Sequence, residues 1–316
     1  MSLKSITSVV ACATVIGALS LTTAAHAQWT VTNLSPAGST NSEASAASGG
    51  QQVGYAEVGG VYRASLWSGT AASWVDLNPA GSTASAAYAA SGGQQAGYAV
   101  VGGVTRASLW SGTAASWLDL NPAGSTYSTA WAASAGQQAG TAEVGGVYRA
   151  SLWSGTAASW VDLNPAGSSN SIAFATSGGQ QAGRALVGGV YCASLWSGTA
   201  DSWINLNPAG STESAAFAAS GGHQVGSAVV DGISRASLWS GTAASWVDLH
   251  AFVPAGFVTS SATGISSDGV NMYISGYGYN LLTQSTDALL WTQTIPAPGA
   301  AVVLGLGGLV AARRRR

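Results

Sequence analysis

The chain copies itself every 43 residues, and that period constrains its fold more than any other feature. One clean unit runs from Ala84 to Pro122 and reads ASAAYAASGGQQAGYAVVGGVTRASLWSGTAASWLDLNP. Its first tryptophan returns at Trp67, Trp110, Trp153, Trp196 and Trp239, and its second at Trp74, Trp117, Trp160, Trp203 and Trp246. A unit of this length cannot bury its apolar face alone, so neighbouring copies must stack. Only 7 % of residues are charged, which on its own would suit a disordered chain. Thirteen tryptophans, most of them at fixed spacing, argue for order, because periodic aromatic burial offsets the entropy of ordering.

Each unit divides into four strand-length runs. In the clean copy these are Ser85–Ser91, Gln94–Val101, Val104–Trp110 and Trp117–Leu120. Gly92-Gly93 and Gly102-Gly103 separate the first three and read as two-residue hairpin turns. Where a Gly-Gly changes it becomes Asp231-Gly232 or Asp268-Gly269, and Asp-Gly tolerates the positive φ of a type I′ turn. The link Ser111–Ser116 joins the third run to the fourth, and Pro122, which has no ladder donor, ends it. Four antiparallel strands at this period predict a β-propeller blade. First strands open near Ser42, Ser85, Ser128, Ser171, Ser214 and Ser260, so the expected fold is all-β, a six-bladed β-propeller of four-stranded antiparallel blades. The sixth unit ends at its third strand, Ala288–Trp291. Trp29–Pro36 aligns with the fourth strand of the repeats, Leu34 with Leu77 and Pro36 with Pro79. The N-terminal strand is therefore expected to close the last blade, leaving no free edge in the ring. The alternative is an open β-array or solenoid with frayed ends.

Pairing the third strand with the fourth sets Ser65 opposite Asp76 and makes Arg63 and Asp76 diagonal neighbours on one face. Arg63, Arg106, Arg149 and Arg235 accompany Asp76, Asp119, Asp162 and Asp248. In the fourth unit the two positions hold Cys192 and Asn205, and in the sixth Asp287 and Asn33, so both partners are lost together. This covariation within one chain predicts structural ion pairs; the competing reading is a ring of arginines around a ligand.

Both ends look like address labels. Lys4, the apolar run Val9–Leu21 and Ala25-His26-Ala27 form a secretory signal pattern, cut after Ala27. The run is short for a membrane anchor. Residues 28–294 are then the repeat domain. Residues 295–316 carry Pro296, Ala297, Pro298 and Gly299, an apolar run to Ala312, and Arg313, Arg314, Arg315 and Arg316. Four terminal arginines would hold that end in the cytoplasm. Motif, apolar run and basic tail together resemble the PEP-CTERM bacterial sorting signal in its Pro-Ala-Pro-Gly variant, with Ala297 where Glu would stand. The resemblance implies transient membrane insertion of the tail and its removal by an exosortase-like membrane protease. The body would then be released or transferred to the cell surface. A plain tail anchor is the alternative.

The pattern Gln-Gln-Ala-Gly-x-Ala, then Val-Gly-Gly-Val-x-Arg-Ala-Ser-Leu-Trp-Ser-Gly, then Asp-Leu-Asn-Pro resembles the extracellular HAF-type repeat. The likeness covers about residues 29–292, with Arg63-Ala64 and its copies in place of His-Ala. It implies a secreted, propeller-like repeat protein and brings no catalytic residue.

Ordinary enzyme chemistry is hard to place on this chain. The trimmed body keeps Arg63, Arg106, Arg149, Arg184 and Arg235 against twelve carboxylates, a net charge of −7 with no basic patch, which argues against nucleic acid as partner. Cys192 is alone once Cys12 leaves with the signal, so no intrachain disulfide forms. His223 and His250 each replace a repeat residue and read as drift at exposed strand ends or turns. No zinc, nucleophile-elbow or phosphate-loop motif occurs, and no metal or other cofactor is expected. Glu57 and Glu143 recur at equivalent positions without a facing carboxylate, and Ser266–Gly269 has too few for a calcium loop. The tryptophans are expected to pack between blades. Exposed, they would instead make a multivalent carbohydrate-binding surface. Trp29 and Trp131 are the irregular tryptophans, aligned with smaller residues elsewhere, and are the candidates for surface contacts. The expected role is structural or interactive, in the envelope or extracellular matrix of a bacterium, with surface polysaccharide or other envelope proteins as partners. An extracellular hydrolase would need a cleft of convergent polar groups.

Overall fold

The structure is a computed structural model that describes residues 30–295. The signal segment, Cys12, Trp29 and the sorting segment from Pro296 to Arg316 lie outside the described residues. The described residues fall in two units, 30–32 and 33–295. Thr30–Thr32 are irregular and exposed. The second unit carries every strand among the described residues.

That unit is all-β, a propeller-type succession of six antiparallel sheets, each a simple meander. Blade 1 comprises Ser39–Ser48, Gln51–Val58, Val61–Trp67 and Val75–Asp76. Blades 2 to 5 repeat it, the clean copy being Ser82–Ser91, Gln94–Val101, Val104–Trp110 and Leu118–Asp119. Blade 6 has three strands, Phe257–Ser267, Asn271–Asn280 and Ser285–Thr294. The Gly-Gly turns hold both residues at positive φ, 57° and 78° at Gly92-Gly93, and Asp231-Gly232 does the same at 53° and 76°. Ala135-Gly136 turns the same way and forces an alanine to φ 49°. The six-residue link becomes a single 3-10 turn, Ala114–Ser116, in which Ser116 Oγ accepts from Ser111 N and donates to Thr113 O.

Burial lies between blades. The Val53, Ala64, Leu66 and Leu77 face of blade 1 meets Ala87, Ala99 and Trp110 of blade 2, and the same set recurs down to the blade 5–blade 6 interface. The five period tryptophans of the third strands are at most 1 % exposed. Each covers about 200 Å², on the order of 5 kcal/mol of transfer energy before the entropy of ordering is subtracted. A polar stitch accompanies each interface: Ala64 N donates to Ser85 Oγ of the next blade at 2.8 Å, and Ser85 Oγ donates to Asn78 Oδ1 at 2.6 Å.

Two expectations fail at the ends. Asp268-Gly269 is not a two-residue type I′ turn, for only Gly269 has positive φ. The loop spans three residues because the Asp268 carboxylate captures the N–H groups of Val270 and Asn271. Nor does the N-terminal segment close blade 6. Asn33–Pro36 form no strand, and among the described residues the third strand of blade 6 pairs with its second strand alone. Asn33–Pro36 nevertheless keep the local shape of a fourth-strand tail. Ser35 N donates to Asn33 Oδ1 as Asn78 N does to Asp76 Oδ1, and Ser35 Oγ contacts Ser42 Oγ as Ser85 does Asn78. Those contacts are satisfied within ten residues of sequence, whereas pairing would need the far end of the chain. First strands of consecutive blades pack side by side from blade 1 to blade 6, but blades 6 and 1 are not among the packed pairs.

Candidate functional site

The Arg–Asp positions are fixed by strand register. Ser65 lies opposite Asp76 and Leu66 opposite Val75. Arg63 Nη1 stands 2.7 Å from Asp76 Oδ2; Arg106–Asp119, Arg149–Asp162 and Arg235–Asp248 measure 2.8, 2.6 and 2.8 Å. The other carboxylate oxygen of Asp76 takes Asn78 N, and Arg63 Nε reaches Val58 O. Each pair thus ties the fourth strand to the turn between the second and third. In blade 4 Cys192 is buried with its thiol pushed up by desolvation, an effect that Asn205 partly opposes. In blade 6 Asp287 accepts from Ser285 Oγ, while Asn33 accepts from Ser35 N.

The recurring tryptophans do not offer a binding site in each blade. Those of the third strands are buried, and those after the link are half-buried, each donating its indole N–H across the sheet, as Trp74 does to Ser65 Oγ at 2.8 Å. The aromatic groups that do reach the surface sit elsewhere, and their placement corrects the reading of Trp131. Gly97 stands opposite Ala87, and Ala96 opposite Ala89, so Tyr88 is the extra residue of a β-bulge. A Cβ on Gly97 would collide with the Ala86 carbonyl, so the glycine lets the first strand approach closely enough to bulge. The same geometry recurs in every blade, and the bulged residues are Ser45, Tyr88, Trp131, Phe174, Phe217 and Thr263. Trp131 therefore stands not alone among small residues but in a row whose four middle members are aromatic. Its ring stacks on Tyr88 at 4.9 Å, and Phe174 meets Phe217 at 5.7 Å. Lining up the first strands at the 43-residue offset would have found this row.

Arg184 joins it from the second strand of blade 4, its guanidinium 4.2 Å from the Tyr191 ring, 5.8 Å from Phe174 and 4.0 Å from Glu213. Burial raises the hydroxyl pKa values of Tyr88 and Tyr98. The aromatic stretch is thus half-buried, neutral over most of its length, and carries one cation: chemistry suited to stacking against flat apolar faces.

Elsewhere, Tyr55 donates to Glu43 and Tyr273 to Asp268, both at exposed positions. His250 is not an exposed drift residue. It takes the place of the repeat asparagine, with Nδ1 2.8 Å from Ser260 Oγ, and its pKa is lowered by burial against a smaller opposing effect of Asp248. His223 Nδ1 lies 3.0 Å from Ser240 Oγ. A hollow of ≈ 490 Å³ beside blade 6 is walled by Leu238, Leu249, Phe252, Ile274 and Trp291, with no titratable group. A second, of ≈ 420 Å³, has His223 as its one titratable wall. Among the described residues no three His, Cys, Asp or Glu gather to hold a metal, and no helix is long and apolar enough to cross a membrane.

Neither a protein-family model nor a curated protein matches the chain. Solved structures similar to it include a chain assigned as TolB from Agrobacterium tumefaciens, at 10 % identity and TM-score 0.41, covering 64 % of this chain and 87 % of that one. TolB from Acinetobacter baumannii matches at 10 % and 0.42, covering 78 % and 64 %. A mutant puromycin hydrolase matches at 13 % and 0.46, covering 72 % of this chain and 40 % of the enzyme. Likenesses this distant set no function, and the fold rests on the sheet topology above.

Proposed function

We propose that the chain is a non-catalytic repeat scaffold with a structural or binding role in the bacterial envelope or extracellular matrix. The observation that carries this reading is where the repeat commits its polar groups. Arg63 and Asp76 hold each other, Ser85 holds Asn78, Trp74 holds Ser65, and Gln95 holds Gly112 N, and the equivalents recur in most blades. A side chain engaged within the repeat array is not free to polarise a substrate. On this reading the leader ends at Ala27, and the segment from Pro296 to Arg316 is removed by an exosortase-like membrane protease during transfer to the surface. The intact mass of the protein recovered from a host carrying such a protease tests it. A mass beginning at Gln28 and ending near the Pro-Ala-Pro-Gly motif is expected; a mass that retains the arginine tail overturns the sorting step.

The aromatic row supports a second reading, a carbohydrate-binding propeller. Tyr88–Trp131 and Phe174–Phe217 present half-buried ring pairs of the kind on which pyranose faces stack. A glycan array probed at high protein density would show binding that Trp131→Ala abolishes; no binding by the unaltered protein removes this reading.

A further inference from the structure

We propose that the free face of blade 6 docks onto blade 1 of a second copy, so that the chain assembles head to tail. The argument starts from the internal interfaces. Five times, a third-strand leucine meets a first-strand alanine of the next blade: Leu66 with Ala87, Leu109 with Ala130, Leu152 with Ala173, Leu195 with Ala216 and Leu238 with Ala262. All ten are buried, at 7 % exposure or less. The sixth members of the series are Leu290 and Ala44. Leu290 is 67 % exposed and Ala44 is exposed as well.

The polar stitch is interrupted at the same place. Ala64, Ala107, Ala150, Ala193 and Ala236 each donate their N–H to a serine Oγ of the following blade. The sixth pair would be Ala288 N with Ser42 Oγ, and Ser42 Oγ is turned to Ser35 instead. Among the described residues the third strand of blade 6 also keeps an unpaired edge, while Asn33–Pro36 hold the turn of a fourth strand beside blade 1. At the two ends of the array, Leu290 and Ala44 are thus the two halves of one contact that the chain already builds five times, and they stand apart within the chain, whereas Ala56 and Trp67 of blade 1 are already buried.

A second copy presents the surface that Leu290 fits. The contact is heterologous, donor face to acceptor face, and such contacts propagate unless a ring closes. Edge pairing between Ser285–Thr294 of one copy and the Asn33 segment of the next would cover the free edge as well. The inference does not depend on the export reading.

Sedimentation of the full chain over a wide concentration range tests it, together with Leu290→Arg and Ala44→Arg. The unaltered protein should rise in mass through dimer and beyond. Each variant alone should remain monomeric, with an unchanged melting temperature because both positions face solvent. An equimolar mixture of the two variants should stop at the dimer, since each supplies the end the other has lost. A monomer at every concentration overturns the proposal, and so does a mixture that stays monomeric. Hydrogen exchange covers the remaining alternative: protection, in a monomer, of those Ser285–Thr294 amides that point away from the second strand of blade 6 would mean that the chain closes on itself, which also refutes it.

Discussion

Single positions in this protein have duties that composition hides. Chains rich in glycine usually read as loose, yet two kinds of glycine here act separately. The turn glycines supply positive φ, whereas Gly97 has ordinary backbone angles and is small because the Ala86 carbonyl occupies the space of a side chain. Gly97→Ala should therefore cost about 2–3 kcal/mol, read as a drop in urea midpoint, and should disturb the bulge that presents Tyr88. His250 gives a pH signature. Its imidazole is harder to protonate folded than unfolded, so the unfolded chain takes up the proton first as pH falls. Its contribution is complete above about pH 6.5 and is lost progressively below that, toward the folded pKa. Urea titrations at about pH 7.5 and about pH 5 should show a loss of stability that His250→Asn, which restores the repeat residue, reduces.

At the scale of the blade, the Arg–Asp pair is a fastening between the short fourth strand and the sheet. The fourth strand has two residues in register with the third, too few to hold by ladder bonds alone. Blade 4 shows what replaces the pair: a small buried thiol and a neutral amide. Cys192→Arg by itself should destabilise by about 2 kcal/mol, since it brings in a partly buried cation without its counter-charge. Adding Asn205→Asp should recover most of that loss, and the double-mutant cycle measured by chemical denaturation gives the coupling. A cycle with no coupling would mean that the pairs are incidental. The pairs of blades 1 to 3 are about one-third exposed, so each adds modestly and less at high salt.

For the molecule as a whole, stability is a sum of near-identical interfaces. Each blade meets its neighbours in sequence, and blades 6 and 1 are not among the packed pairs of the described residues. Deleting residues 82–124, one complete period, would rebuild an equivalent interface between the blades on either side, since the incoming first strand, Ser125–Ser134, repeats the one removed. The shortened chain should keep its β circular-dichroism spectrum and melt cooperatively, at a somewhat lower temperature. A closed ring would tolerate the loss poorly, because the remaining blades could not span the same circle. Collapse of the deletion variant would therefore speak for closure.

The strand pattern, the Gly-Gly turns, the Arg–Asp register and the packing role of the period tryptophans were legible in the sequence because each is local or recurs at a fixed offset. Gly92, Arg63 and Trp67 carry their meaning in their own spacing. What the sequence did not reveal depended on neighbours that spacing leaves out. The bulge that lifts Tyr88 and Trp131 into one row arises from a close approach of two strands at Gly97. The half-burial of His250 comes from a serine of the next blade. The fate of the seam was decided only in three dimensions: Asn33–Pro36 resemble a fourth strand in their local contacts, but whether such a segment meets Leu289–Trp291 depends on the accumulated angle of five interfaces, which no single unit encodes.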